Sequence, residues 1–496
     1  NCLATDRDWG KLVLLWEEDM RLAREEEVRR SRDRQAAEEK SEEEKLDMKR
    51  RQVLKLFGKG QVSRGVSRIS SLGVADIRDE AVRVELKSKY PARGRELPDS
   101  VRKDTPIPNF AGMRDNLLKL EKGVSPGAGG LRPEFLITLG EVMDNEQMEL
   151  LKSLSMRYLG GALPGWFYAV FPSCQTVPLF KNEEKQLRPL GVQNPLVRTW
   201  HREVIKFNKP EIVKVLEPQQ MVLSTAGAAK LVNSVRMMLE IHPDFIAVQI
   251  DLKNAFNACS RAALIDQLED DPTLHHLAWH AGTTLAPHIG LEAGGEKWGE
   301  SGDGFTQGNP ASGAWFCLAI HKCIRKLDAA IARGGGMTKA GCDDVFPVGP
   351  AHLVFPALVE FEREIRELCG LELQRHKCRV FTWDGILPPG SIPDMPIAGK
   401  EINGTFEAGM MVYGVPVGTD EYVKSMMDVK MEEIASAAIK ACTVLADERQ
   451  ALWTTLRLST QQKLDYWLML LHPSQVKAAA ERMDLILWQM LEAVVG

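Results

Sequence analysis

Asp343 and Asp344 stand side by side in the stretch Ala340-Gly341-Cys342-Asp343-Asp344-Val345-Phe346. Adjacent carboxylates repel, so a lone pair of this kind ordinarily belongs in a solvated turn. A third carboxylate changes that reading if a buried strand carries it to the pair, because oxygen ligands can then meet around divalent cations. Asp251 is the candidate. It ends the apolar run Phe245-Ile246-Ala247-Val248-Gln249-Ile250, a β-branched segment that follows the turn residues Pro243-Asp244 and predicts a central strand. A carboxylate at the carboxyl end of such a strand points into a cleft. Mg²⁺ is hard, takes oxygen ligands and uses a few carboxylates plus substrate phosphates, so three aspartates suit a two-metal phosphoryl-transfer site. The expectation is that the three carboxylates converge on one metal position, with roughly 4 to 7 Å between them.

Several elements would have to position such a site. Val177-Pro178-Leu179-Phe180 and Leu187-Arg188-Pro189-Leu190-Gly191-Val192 flank a polar stretch at 182–185, which predicts a β-hairpin. Lys181 and Arg188 lie seven apart across its turn, a spacing that lets both face one side. Ser125-Pro126-Gly127-Ala128-Gly129-Gly130-Leu131-Arg132-Pro133 reads as a loop leading into a helix from about Pro133, with Arg132 able to hold a phosphate. Residues 220–239 read as a loop and then an amphipathic helix, and 262–300 as a helical connection ending in a Gly-rich loop. Residues 304–310 read as a loop before a buried helix over 311–327. Lys253 and Arg261 read as surface or backbone-contacting charges. Met411-Val412-Tyr413-Gly414-Val415-Pro416-Val417-Gly418 reads as a strand and turn. From 421 to 496 the period is helical, with Trp453, Tyr466, Trp467, Leu468, Trp488 and Leu491 available as core. Residues 17–51 mix Glu, Arg and Lys without a heptad seam, which predicts a solvated helix or partly disordered arm.

Composition narrows the function classes. The chain has 496 residues, 44% hydrophobic and 26% charged, which is ordinary for a globular protein that buries several cores. A net charge of −5 argues against nucleic acid unless cations cluster, and Arg198, Arg202, Lys206 and Lys209 form such a local run. No apolar run reaches membrane-spanning length and no signal peptide is evident, so a membrane partner is not expected. The chain starts at Asn1, which reads as a fragment. Nine cysteines without a Cys-x-x-Cys pair read as reduced thiols of an intracellular protein. His376 and Cys378 read as packing residues. His275, His276, His280 and His288 lack the spacing of a metal motif, since only His276 and His280 stand four apart and no glutamate completes the pattern.

Asp251-Leu252-Lys253-Asn254-Ala255-Phe256-Asn257, then Gly304-Phe305-Thr306-Gln307-Gly308-Asn309-Pro310, then Cys342-Asp343-Asp344 follow one another as the palm motifs of reverse transcriptases do, most closely those of non-LTR retrotransposons. The resemblance spans about residues 110–490. It implies an α+β right-hand polymerase fold: an N-terminal extension over 1–58, a lead-in over 59–109, fingers over 110–243, a palm with an antiparallel sheet over 244–400, a primer grip over 401–418 and a helical thumb over 419–496. No stretch reads as an endonuclease or RNase H. The activity implied is RNA-directed DNA synthesis on an RNA template from a DNA or RNA primer with dNTPs, and a nuclear location goes with it. Two Mg²⁺ ions, with Mn²⁺ as an alternative, would be held by Asp251, Leu252, Asp343 and Asp344, where Leu252 has only its backbone carbonyl to offer. Lys181 and Arg188 would fold onto the triphosphate, Phe256 would lie beneath the sugar as a steric gate, Gln307 and Gly308 would abut the nucleotide, and Lys377 would protonate the departing pyrophosphate. The Pro-Gly-x-Gly element at 126–129 would touch template.

Two positions depart from the family's pattern. Asn309 stands where an aspartate is usual, and Gly341 stands where an aromatic residue precedes the aspartate pair, which weakens the strand and leaves the primer end nothing to pack against. Two other readings therefore stay open: a degenerate copy that binds nucleic acid without catalysis, and an RNA-directed RNA polymerase.

Overall fold

A strand that is apolar at nearly every position must be covered on both faces, and the segment before Asp251 is of that kind. The structure, a computed structural model, describes residues 18, 21, 25, 41–98, 108, 110–182, 184–293 and 296–496. Among these, eleven strands run in chain order: β1 (Cys174–Phe180), β2 (Leu187–Gln193), β3 (Ile246–Gln249), β4 (Ile289–Ala293), β5 (Glu296–Ser301), β6 (Met337–Gly341), β7 (Asp344–Gly349), β8 (Arg379–Phe381), β9 (Gly399–Ile402), β10 (Thr405–Val412) and β11 (Val415–Gly418). They form three sheets, ordered β2-β1-β4-β5, β6-β7-β3-β8 and β11-β10-β9, between helices, so the fold is mixed α and β.

All pairs in the central sheet are antiparallel. Side chains alternate along a strand, so β3 feeds two cores at once. Ile246, Val248 and Ile250 pack with Trp315, Phe316, Phe361 and Ile365, from the helices Ser312–Ala332 and Ala351–Cys369. Phe245 and Ala247 pack on the other side with Leu231 and Val235 of the helix Gly227–Ile241 and with Met427 of Asp420–Val444. Pro347 lies in β7 opposite β3 and has no N–H to donate. The ladder is accordingly interrupted there, between the pairs Ala247↔Val348 and Ile250↔Val345. The outer strand β6 is covered by the segment before it: Met221 N–H donates to Ala340 O at 3.0 Å and Ala340 N–H to Gln219 O at 2.8 Å.

The predicted hairpin is present as β1 and β2, and a helix runs from Pro133 to Val142. Residues 262–300 are corrected. They hold helices and then the antiparallel pair β4 and β5, which extends the first sheet because β4 pairs parallel with β1. Glycines and the exposed face of β5 give this hairpin no alternating apolar pattern, and its partner strand lies far upstream.

Of the charged N-terminal stretch, residues 1–17, 19–20, 22–24 and 26–40 lie outside the described residues. From Glu42 to Phe57 the chain is helical, the first of the two alternatives, begun by a Ser41–Glu44 capping box and packed along one side. Val53 is fully buried, and Arg50 donates through Nε to Val444 O at 2.8 Å, tying this helix to the C-terminal helices. The segment that follows is tied to the strands and loops downstream: Glu85 accepts from Leu187 N–H at 3.0 Å, and Asp303 accepts from Gly94 N–H at 2.8 Å.

The chain from Asp420 onward is helical, and Trp467 lies in its core. Trp453, Leu468 and Trp488, expected as core, face solvent instead. No described helix is long and apolar enough to cross a membrane.

Candidate active site

Asp251 leaves the carboxyl end of β3 under control of three contacts. Ile250 N–H donates to Val345 O at 3.0 Å, Asp251 N–H donates to Cys378 Sγ at 3.4 Å, and Asp251 O accepts from Gln374 N–H at 2.9 Å. Cys378, read from sequence as packing, therefore holds the first aspartate by its backbone. Lys253 N–H donates to Glu372 O, so this ladder runs through the neighbours of Leu252 and leaves the Leu252 carbonyl facing away from it.

Gly341 pairs with Asp344, which makes Cys342-Asp343 a two-residue hairpin loop, with Cys342 in the left-handed region at φ 59°. That turn presents Asp343 to the cleft beside Asp251. The three carboxylates share one electrostatic field. Burial raises the Asp344 carboxyl to about 6, with Asp343 and Asp251 adding repulsion. Asp343 is reached by solvent, yet the cleft walls around it and the charge of Asp251 raise it too, against the pull of Arg188 and Lys181. Burial raises Asp251, opposed by Lys377, Lys181, His376 and Arg379.

This is a hard-oxygen donor set of the kind a divalent cation takes. It is not closed: among the described residues no three His, Cys, Asp or Glu side chains group tightly enough to hold one ion.

A cleft of about 720 Å³ opens in front of Asp251 and Asp343 and is also lined by Lys181, Arg188, Phe256, Gln307 and Lys377. The hairpin register explains the first two. Lys181 N–H donates to Gln186 O and Leu179 pairs with Arg188, so Lys181 and Arg188 fall on the same face, two positions apart diagonally. Phe256 lies in a short helical turn, with one face stacked on the buried Phe316 at 4.7 Å between centroids and 19° between planes. Lys377 sits on a 3₁₀ turn anchored by Arg375, whose guanidinium donates to Glu362 at 2.6 Å, and its own ammonium donates to Gln374 Oε1 at 2.8 Å.

Gln307 holds β2 through its carbonyl, which accepts from Gly191 N–H at 2.9 Å. Gly308, at φ 112°, does not line the cleft; a Cβ there would strike the Gly191 carbonyl, so glycine permits this close approach. Arg261, read as a surface or backbone-contacting charge, is fully buried. Its guanidinium donates to the carbonyls of Gly304 and Leu285 at 2.9 Å and of Pro287 and Ser301 at 3.2 Å, fixing the approach to Gln307.

Asn309 has a structural reason in this chain. Its Oδ1 accepts from Ala311 N–H at 2.8 Å, and its Nδ2 donates to Nδ1 of the buried His201 at 2.7 Å. A carboxylate would turn an acceptor toward that nitrogen.

The four clustered histidines are likewise engaged. His276 meets Asn208 Oδ1 at 2.8 Å, His280 meets Leu159 O at 3.2 Å, His288 meets Glu300 at 3.1 Å and His275 meets Pro272 O at 2.7 Å. Burial pushes His201 down to about 4 and His280 down to about 3. Both are neutral when folded and take up protons readily when unfolded, so stability present above pH 6.5 is lost as pH falls toward 4. Each contributes a loss of about 2 kcal/mol between pH 7 and pH 5. Thermal melts at the two pH values check this, and an equal melting temperature at both would refute it.

No family model and no curated protein matches the chain. Solved structures similar to it include a telomerase from Candida albicans in complex with a fragment of telomeric RNA, at 11% identity and TM-score 0.35 over 69% of this chain. An apo telomerase from Candida tropicalis, truncated from its C-terminal domain, is similar at 10% identity and TM-score 0.35 over 50% of this chain. The chain spans 63% of the first and 55% of the second.

Proposed function

We propose that the chain is an RNA-directed DNA polymerase of the reverse transcriptase type, adding dNTPs to the 3′ end of a DNA or RNA primer on an RNA template. The observation that carries this reading is the meeting of Asp251 and Asp343 with Lys181, Arg188 and Phe256 in one cleft. In this reading β1 and β2 belong to the fingers, the central sheet to the palm, the β10–β11 hairpin to the primer grip and the helices after Asp420 to the thumb. The non-LTR retrotransposon type, and a place in the nucleus, follow from the motif resemblance alone.

Asp251, Asp343 and Asp344, with the Leu252 carbonyl, would hold two Mg²⁺ ions, or Mn²⁺. Such ions acidify a bound hydroxyl and neutralise the charge that builds on transferring phosphates. Lys181 brings a point charge and Arg188 a forked donor to the same triphosphate from one face of the hairpin. Phe256 closes the floor under the sugar, Gln307 and Gly308 bring their loop to its side, and Lys377 stands where it can hand a proton to the leaving pyrophosphate. Template phosphates would run along Arg198 and Arg202, with Arg64 also near Arg198; the buried Nε of Arg198 has no hydrogen-bond partner among the described residues.

Primer extension tests the reading. With an RNA template, an annealed primer and Mg²⁺ or Mn²⁺, the purified chain is expected to extend the primer with dNTPs. Absence of extension under both ions, with salt-dependent RNA binding retained, would establish the second reading, a palm that binds nucleic acid without catalysis. Asn309 and Gly341, the two departures from the family's pattern, are what favour it.

A further inference from the structure

One wall of the cleft in front of Asp251 and Asp343 comes from a stretch that carries no motif. Glu85, Ser88, Lys89 and Pro91 line it, from the helix Glu80–Ser88 and the turn that follows.

This stretch is pinned from both sides of the cleft. Toward the first sheet, Ala75 N–H donates to Pro178 O of β1 at 2.9 Å, and Glu85 Oε1 accepts from Leu187 N–H of β2 at 3.0 Å. Toward the Asp251 loop, Lys89 O accepts from Asn254 Nδ2 at 2.6 Å. Asn254 stands in the left-handed region at φ 50°, which asparagine adopts more readily than most residues, and its Oδ1 accepts from Asn257 Nδ2 at 3.0 Å, so both ends of its amide are engaged. The next residue, Tyr90, lies edge-on to Trp298 of β5 at 6.0 Å between centroids. The backbone at Lys89 is thus fixed within a residue on either side.

Its side chain is held by much less. The ammonium meets Glu85 Oε1 at 3.2 Å, a partly exposed pair four residues apart on a helix, and such pairs contribute little. The same Glu85 oxygen accepts from Leu187 N–H, so the carboxylate keeps a partner when the ammonium leaves it. Leu187 directly precedes Arg188, which places the Lys89 ammonium beside the strand that presents that guanidinium to the cleft. A triphosphate entering there meets the repulsion of Asp251 and Asp343, and each cation in reach offsets it.

Resting on the polymerase reading, we propose that Lys89 is a third side-chain cation for the triphosphate of the incoming nucleotide, beside Lys181 and Arg188. On nucleotide entry its ammonium exchanges the Glu85 carboxylate for a phosphate oxygen, while Glu85 stays on Leu187 N–H. The segment before the first sheet is then part of the nucleotide site and more than a support for it.

Lys89→Met tests this, because methionine keeps much of the stem and removes the charge, and the carbonyl that holds Asn254 belongs to the backbone. The expected result is a rise of about tenfold in KM for dNTP, with kcat within about twofold and primer–template Kd unchanged. Binding of dNTP to the complex with a dideoxy-terminated primer should weaken by the same factor, and Lys89→Arg should match the parent. Glu85→Gln keeps an acceptor for Leu187 N–H and removes only the competing charge, so it should lower KM for dNTP. A pair that merely braces the cleft wall would raise KM in both variants. That outcome, or parent-like KM for dNTP in Lys89→Met, would overturn this proposal and leave the polymerase reading standing, provided the parent is active. Unchanged KM for dNTP with weakened primer–template binding would do the same and assign Lys89 to a strand phosphate. A parent that extends no primer would overturn both.

Discussion

Asp343→Asn is expected to abolish primer extension while leaving primer–template affinity within about twofold, a loss of roughly a thousandfold or more and equivalent to about 4 kcal/mol in the transition state. The asparagine side chain has the same shape, so the hairpin built on Gly341, Cys342 and Asp344 has no reason to change. What disappears is one negative charge among three. Asp343 is one of the two carboxylates whose charge helps raise Asp344, so stability moves in the opposite direction from activity. The melting temperature of the variant should equal or exceed that of the parent. Extension rates, binding isotherms and melting curves on the two proteins decide it. Extension at the parental rate would remove Asp343 from catalysis, and a lowered melting temperature would mean that its carboxylate has a supporting partner.

Preference for deoxynucleotides is the second large effect, and it rests on Phe256. A 2′-hydroxyl pressed on that ring loses its water partners, and an unmade hydrogen bond for a buried hydroxyl costs about 1 to 3 kcal/mol before any steric term. The expected discrimination against rNTPs is at least about a hundredfold, or roughly 2.7 kcal/mol. Phe316 would back such a gate: it lies flat against one face of Phe256 and is itself fully buried. Phe256→Val should therefore improve rNTP use with less change for dNTPs, and Phe316→Leu should erode discrimination partway by loosening the ring from behind. Single-nucleotide incorporation kinetics with both substrates provide the measurement. Unchanged discrimination in Phe256→Val would make the ring a core residue and not a gate. A parent that favours rNTPs would bring forward RNA-directed RNA synthesis.

Local order along the chain decided a good part of this protein. The apolar run ending at Asp251, the two extended stretches around 182–185 and the helical period after 421 each carry their signal within a window of some 10 to 20 residues. Such windows suffice for elements whose faces are set by periodicity, and so Asp251 at a strand end and Lys181 with Arg188 on one hairpin face were legible in the sequence, whereas of the aspartate pair only Asp343 lies in the turn and Asp344 opens β7.

Tertiary structure decided whatever depends on a partner distant in sequence. The strand β4 exists because β1 offers it an edge, which no window around Ile289 contains. Arg261 reads as a surface or backbone-contacting charge until four carbonyls from the loops around it close over its guanidinium. Asn309 and Gly341 read from sequence as losses. Each is matched to a residue far away in the chain, Asn309 to the lone pair of His201 and Gly341 to the ring of Tyr413. The reason is common to all four: a side chain's surroundings are set by packing between elements, and the energy of that packing lies in contacts that sequence order does not bring together.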